Sequence, residues 1–115
     1  MRTVRITYDP TGDILYVTFG QPIAATGYQL SDQLLLRVDP QNLEAAGLTI
    51  FNFSVHEQTA HGITLPGLDE ALADNPRLLQ TLASPPVSHF LKLVKRKQGT
   101  YAFLRHPSLQ EALVA

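Results

Sequence analysis

The chain contains no cysteine, no tryptophan and only one methionine among its 115 residues. The absence of cysteine excludes disulfide bonds, thiolate catalysis and cysteine-based metal sites. Charged residues are also scarce, at 17% against about 25% in a typical globular domain. So few charges favour a surface that is partly covered by a partner, such as a second copy of the chain.

Long apolar runs and an excess of one charge are missing as well. The formal net charge is −1, so no whole-molecule field attracts nucleic acid or an acidic membrane. No segment approaches the roughly 18 apolar residues of a membrane span, and no apolar signal segment follows Met1. We therefore predict a cytoplasmic protein that does not bind membranes.

At 115 residues, a single domain over residues 1–115 is expected. Alternating apolar and polar residues, bounded by Pro, Gly, Asn and Asp, predict short strands. The predicted strands cover residues 3–8, 14–19, 25–30, 34–39 and 46–53, with a possible sixth over residues 101–105. Because the turns between them are short, we predict an antiparallel β-meander over residues 1–54.

The second predicted strand is apolar on both faces. A four-residue loop over residues 9–12 would place Ile6 opposite Leu15, and these two side chains would share the core face. Ile14 and Tyr16 then project from the opposite face. Helices or a partner must cover them.

Residues 55–115 are predicted to be mainly helical. Short helices are expected at residues 69–73, 76–83 and 108–111, the second of them capped by Asn75. A longer helix is expected over residues 87–97, where apolar residues recur at i, i+3, i+4 and i+7, with a strand over the same residues left open as the alternative. The predicted fold class is α+β: a five-stranded or six-stranded antiparallel meander with short C-terminal helices packed on one face.

The strand segments also form a pattern of their own. They read Tyr8-Asp9 and Asp13-x-Leu15-Tyr16-Val17, then Leu34-Leu35-Leu36-x-Val38-Asp39, then Gly47-Leu48-x-Ile50 and Ser54. This pattern resembles a family of small bacterial proteins that is known only as a domain of unknown function. The resemblance covers about residues 4–54, under half of the chain.

The resemblance implies the antiparallel meander and a bacterial cytoplasmic setting, and it implies no reaction. Some members of the family are suspected of pairing with small toxin-like proteins. The chain departs from the family pattern at three places: Thr49 replaces a glutamate, Phe53 replaces an alanine, and Asn42-Leu43 replaces a glycine turn. The residues after 61 also extend beyond the family pattern.

Candidate catalytic residues are few. Asp9 and Asp13 flank the first turn and could share a metal or act as an acid–base pair. The favoured role is structural: Asp9 would accept hydrogen bonds from its own turn backbone, and Asp13 would begin the second strand. His56 and His61 are five residues apart, whereas the zinc-protease helix needs a spacing of four. Neither a nucleophile elbow nor a glycine-rich phosphate loop is present. We predict no catalytic residue, no metal ligand and no cofactor; a metal-dependent enzyme is the third-ranked hypothesis.

One basic cluster stands out near the end of the predicted helix over residues 87–97. It consists of Lys92, Lys95, Arg96 and Lys97. Cations in a last helical turn ordinarily serve the helix dipole. A basic helix can also enter a DNA groove, so a DNA-binding or antitoxin-like regulator is the second hypothesis, although nucleic acid is not the expected partner.

The leading hypothesis is a non-catalytic protein-interaction module that acts as a homodimer. A small protein encoded nearby is the alternative partner. The predicted core leaves several apolar side chains uncovered, and these are candidates for the interaction surface: Ile14, Tyr16, Leu93 and Phe103.

Overall fold

The structure is a computed structural model that describes residues 3–58 and 62–104. The strands of these ranges are β1 (Val4–Asp9), β2 (Ile14–Phe19), β3 (Thr26–Ser31), β4 (Leu34–Val38), β5 (Ala45–Phe51), β6 (Ile63–Thr64), β7 (Leu91–Arg96) and β8 (Gly99–Leu104). The helices are α1 (Phe53–Gln58), α2 (Leu68–Asp74) and α3 (Leu78–Ala83), and Val87–His89 forms a 3-10 turn. The predicted α+β class is confirmed.

The first five strands form one antiparallel sheet in the order β1-β2-β5-β4-β3. The predicted five-stranded antiparallel sheet is therefore confirmed, but its strand order is not that of a consecutive meander, because β5 returns to the centre and pairs with both β2 and β4. Burial explains this order. Ala45 to Ile50 are all buried, whereas β3 has three exposed residues. The strand with the most buried residues takes the centre, where a neighbouring strand flanks it on each side, and β3 takes an edge.

The β1–β2 register differs from the predicted one by two residues. Tyr8 pairs with Leu15 and Ile6 with Val17. Because side chains alternate with a period of two, this shift leaves the same residues on the core face. The loop is tightened by the Thr11 N–H, which donates to Asp9 Oδ1 over 3.1 Å, and by Asp13, whose φ of 55° lies in the left-handed region.

A single hydrophobic core joins the sheet to the C-terminal half. The inner sheet face contributes alternate residues of the strands, and α2 and α3 contribute Leu68, Ala71, Leu78 and Leu82. Leu15, Leu36 and Ile50 are fully buried, each worth about 1.5–3 kcal/mol of transfer free energy. The face of the sheet that holds this core is called the inner face, and the opposite one the outer face.

The predicted helix over residues 87–97 is wrong. Only Val87–His89 is helical, as a 3-10 turn, and β7 follows at Leu91. A two-residue turn joins β7 to β8, and these two strands pair as a hairpin. β6 pairs with the opposite edge of β8, which gives a second sheet in the order β6-β8-β7.

Two physical reasons favour the strand. Ser84 precedes two prolines and is extended, with φ −116° and ψ 158°, as a residue before proline prefers. In addition, residues 99–104 supply a partner rich in aromatic residues, and cross-strand pairing then replaces the hydrogen bonds of a helix. Gly99 adopts a φ of 136° at the hairpin turn, a conformation that favours glycine.

The remaining predictions for the C-terminal half are confirmed in part. The helices near residues 69–73 and 76–83 are present as α2 and α3, and residues 101–104 of the predicted sixth strand lie in β8, while residue 105 is outside the described residues. Asn75 does not cap α3: Arg77 is its N-cap, and the Asn75 side chain instead donates to the Tyr28 hydroxyl. The predicted helix at 108–111 lies outside the described residues. None of the helices within residues 3–58 and 62–104 has the length and apolar character needed to cross a membrane.

Candidate functional site

The outer face of the five-stranded sheet carries a row of side chains that crosses every strand. Register pairs Thr7 with Tyr16, Tyr16 with Thr49, Thr49 with Leu35, and Leu35 with Gln29. A second pair, Ile14 and Phe51, lies beside this row. Such alternation follows directly from the period-two pleat of the strands.

The middle of this row is apolar and lacks a cover among the described residues. Tyr16 is 41% exposed, and Ile14, Leu35 and Phe51 are half-buried. Thr49, between Tyr16 and Leu35, is 7% exposed because its two neighbours flank it. Where the resembled family has a glutamate, this chain therefore keeps the centre of the outer face uncharged.

The charged residues of the outer face lie away from its centre. Arg5 pairs with Thr18, Thr18 with Gly47, and Gly47 with Arg37, which makes a parallel row with an arginine on β1 and another on β4. Asp9 sits at the corner opposite Ile14. The face thus has an apolar strip with charges around it, which is the usual anatomy of a protein interface.

The four residues predicted to form an interaction surface do not lie together. Ile14 and Tyr16 share the outer face. Leu93 is half-buried against the hydrophobic core, and it pairs with the fully buried Ala102. Phe103 belongs to the other face of the second sheet, so the structure places two of the four residues on the outer face.

Asp13 is the centre of a hydrogen-bond network at one end of the sheet. Its Oδ1 accepts the Tyr8 hydroxyl at 2.7 Å and the Ser54 N–H at 3.0 Å, and its Oδ2 accepts the Ser54 hydroxyl at 2.7 Å. Its backbone carbonyl accepts the Phe53 N–H at 3.1 Å. The first turn thereby caps the N-terminus of α1 from 41 residues away, a role usually taken by a neighbouring side chain.

This network gives Asp13 a structural role, as the sequence favoured. The Asp13 hydrogen bond, followed by desolvation and by the charges of Asp13 and Asp9, raises the pKa of Tyr8 above its usual 10.0. The phenol therefore stays protonated and donates, and the carboxylate is engaged by three donors. Sequence reasoning did not join Tyr8, Asp13 and Ser54, although all three belong to the pattern shared with the resembled family.

A second distinctive surface lies on the β6-β8-β7 sheet. Its outward residues are Thr64, Lys92, Val94, Arg96, Tyr101 and Phe103, which register places on one side; this surface is called the basic–aromatic face. The Arg96 guanidinium carbon lies 5.2 Å from the Tyr101 ring centroid and 5.5 Å from the Phe103 centroid. Both distances are within the range of cation–π attraction.

The structure changes the interpretation of the basic cluster. Lys92, Lys95 and Arg96 lie on β7 and Lys97 in the following turn, and all four are exposed. These residues therefore lie on a strand and a turn rather than on the predicted basic helix, and DNA binding by them stays a prediction. Residues 91–104 contain these four basic residues and no acidic one.

A groove of about 780 Å³ opens between the β4–β5 loop, α3 and the two prolines that follow it. It is lined by Val4, Asn42, Leu43, Glu44, Ala45, Arg77, Gln80, Thr81, Ser84, Pro85, Pro86 and His89. The Thr81 hydroxyl donates to the Leu43 carbonyl at 2.8 Å and fixes a loop in which Leu43 has a φ of 58°. This strained turn stands where the resembled family has glycine.

Within the described ranges, no group of three or more histidine and carboxylate side chains is arranged to hold a metal ion. His56 lies in α1, and His61 is outside the described residues. Comparison of the chain with family models, with curated proteins and with solved structures gives no match. The resemblance over residues 4–54 stays a prediction.

Proposed function

We propose that the protein is a small bacterial, cytoplasmic protein-interaction module without catalytic activity, and that it acts as a homodimer through the outer face. The observation that carries this proposal is the group of apolar side chains at the middle of the outer face, formed by Ile14, Tyr16, Leu35 and Phe51, which lacks a cover among the described residues. An exposed apolar strip of this kind marks an interaction site more often than a solvated surface.

The shape of the outer face suits a second copy of itself. Two sheets can stack face to face about 10 Å apart, with their strands inclined by about 30°. A two-fold axis makes such a contact self-complementary: where residue i of one copy contacts residue j of the other, residue j of the first copy also contacts residue i of the second. Arg5 and Asp9 lie on one edge strand with opposite charges, so an antiparallel pairing of two copies can bring them together.

Size predicts a weak dimer rather than an obligate one. Five strands are about 19 Å wide and six residues are about 20 Å long, which gives a flat area of roughly 400 Å². A standard interface buries about 800 Å² on each partner. Projecting side chains add to this flat area, but the outer face is still small for a protein interface. We therefore expect the dimer to have a dissociation constant in the micromolar range.

The test is sedimentation equilibrium over a concentration series, with two matched variants. Tyr16→Lys places a charge at the centre of the outer face. Leu79→Lys makes the same kind of change at a residue of α3 that is 47% exposed and lies off this face. We expect the parent and Leu79→Lys to approach twice the 12.7 kDa chain mass, and Tyr16→Lys to remain monomeric.

Three outcomes would contradict the proposal. The parent could be monomeric throughout the micromolar range, in which case the outer face is solvated or covered by the chain's own residues. Tyr16→Lys could dimerise like the parent, which would place the contact at another surface such as the edge strand β3. Leu79→Lys could abolish the dimer while Tyr16→Lys does not, which would place the contact on α3.

A further inference from the structure

We infer that the basic–aromatic face binds a single-stranded nucleic acid, with unpaired bases stacked on its side chains and phosphates held by Lys92 and by the lysines at the turn end of the hairpin. This inference is independent of the proposed homodimer, because the face belongs to the β6-β8-β7 sheet and not to the outer face. It also differs from the hypothesis of a DNA-binding helix, since the residues act here from strands.

Two aromatic side chains on β8 give the face a surface on which bases can stack. Tyr101 and Phe103 are two residues apart on β8, so their rings project from the same side of the strand. Both are half-buried, and an added Cβ at Gly62 would lie 2.8 Å from the Phe103 ring. The absence of a side chain at Gly62 therefore leaves Phe103 room beside the strand. Rings held on a sheet surface in this way are the usual stacking platforms for unpaired bases.

Arg96 extends this platform. Its guanidinium lies over both rings, and a guanidinium plane is itself a surface on which bases stack. β7 is about 20 Å long over its six residues, enough for two or three stacked bases. The stack is thus preorganised before a ligand arrives.

The basic side chains of this hairpin favour a negatively charged partner. Residues 91–104 carry four basic side chains and no acidic one, in a chain whose net charge is −1. Lys92 lies on the face, and Lys95 and Lys97 lie at the turn end of the hairpin. Phosphates suit these cations. An acidic peptide would satisfy the lysines but would leave the aromatic platform unused, and a duplex would keep its base faces hidden.

The experiment is a fluorescence-anisotropy titration of the full chain with a fluorescein-labelled oligothymidylate of about 12 nucleotides, a length within the usual site sizes. Competitors are the duplex of the same length and a polyglutamate peptide. Between about 50 and 200 mM salt we expect a slope of log affinity against log salt of about −1.4 to −2.8, for two to four neutralised phosphates.

Variants separate the stacking from the charge. Tyr101→Ala should weaken binding about 5- to 150-fold, whereas Tyr101→Phe, which keeps the ring, should leave it unchanged. Lys92→Gln should weaken binding and reduce the salt slope by about 0.7. Arg77→Gln removes the same charge from an exposed residue outside this face and should have a much smaller effect.

Thermal unfolding shows whether each variant is folded, and if Tyr101→Ala is not, Arg96→Gln at an exposed position replaces it. The inference is overturned if the oligothymidylate does not bind at low salt, or if the duplex or polyglutamate competes as well as the unlabelled single strand. It is also overturned if Tyr101→Ala binds like the parent, or if Arg77→Gln weakens binding as much as Lys92→Gln.

Discussion

Replacing Asp13 removes the link between the first turn and the start of α1. The carboxylate accepts three hydrogen bonds, one from Tyr8 and two from Ser54. A substitution therefore leaves a helix N-terminus without its cap and two hydroxyl groups without their acceptor. Few other side chains described in the molecule join segments so far apart in the sequence.

The magnitude follows from three terms. Loss of an N-cap costs about 0.5–2 kcal/mol, and the hydroxyl groups add about 1 kcal/mol, because Tyr8 and Ser54 are only partly buried and water replaces much of what is lost. Asp13 also has a φ of 55°, which costs a residue such as alanine about 1–2 kcal/mol. We expect Asp13→Ala to reduce the free energy of unfolding by about 2.5–5 kcal/mol.

Three substitutions separate these terms. Asp13→Gly loses the hydrogen bonds but tolerates the positive φ, so it should be about 1 kcal/mol less harmful than Asp13→Ala. Asp13→Asn tolerates this φ and keeps one acceptor oxygen, so it should be the mildest. We therefore expect the loss of unfolding free energy to be smallest for Asp13→Asn, larger for Asp13→Gly and largest for Asp13→Ala.

The assay is equilibrium urea denaturation followed by far-UV circular dichroism, since the chain has no tryptophan. Asp9→Ala is the matched control: it removes a carboxylate from the same turn, but Asp9 accepts only the local Thr11 N–H among the described hydrogen bonds, so we expect a cost of about 1 kcal/mol or less.

The cross-chain cap would be refuted if Asp13→Ala cost no more than about 0.5 kcal/mol, the usual range of a surface substitution. It would also be refuted if Asp13→Ala and Asp9→Ala were equally destabilising. A double-mutant cycle with Ser54→Ala should give a coupling energy of at least about 0.5 kcal/mol.

Three further predictions follow from other contacts. The pKa of Tyr8 is raised in the folded state. The stabilisation that the Tyr8 hydroxyl provides is therefore fully present below the unfolded pKa near 10 and is lost as the pH rises through the folded pKa. In urea unfolding, the difference in unfolding free energy between the parent and Tyr8→Phe should be constant up to about pH 9 and should shrink above pH 10. Gly67→Ala would place a Cβ 2.5 Å from the Gln29 carbonyl oxygen and should cost about 1–3 kcal/mol in the same assay, and an unchanged midpoint would contradict the close approach of α2 to β3. Leu36→Ala, at a fully buried position on β4, should cost about 2–5 kcal/mol, and a loss below 1 kcal/mol would show that this core is not packed as described.

Much of the first half of the fold could be predicted because its signals are local. Alternating apolar residues and turns at Pro, Gly, Asn and Asp locate β1 to β5 to within a few residues. The core face of β2 was also predictable, since a period of two keeps Leu15 on one side even when the register shifts by two residues. The helices α2 and α3 were located by similar local patterns.

The strand order and the second sheet could not be predicted in this way. The apolar spacing of residues 87–94 fits a helix face as well as a 3-10 turn followed by a strand. The choice depends on residues 99–104, which offer a pairing partner across the hairpin. In the same way, the central place of β5 depends on its pairing with both β2 and β4, which no local pattern records.

The sequence by itself determined the α+β class, the five-stranded antiparallel sheet and the two-sided apolar character of β2, because alternation and turn chemistry act over a few residues. Only the tertiary structure decided that Tyr8, Asp13 and Ser54 share one network, that Ile14 and Tyr16 lie apart from Leu93 and Phe103, and that Arg96 lies over two aromatic rings. These arrangements join segments that are distant along the chain, and distance in space is set by packing and strand pairing rather than by local preference.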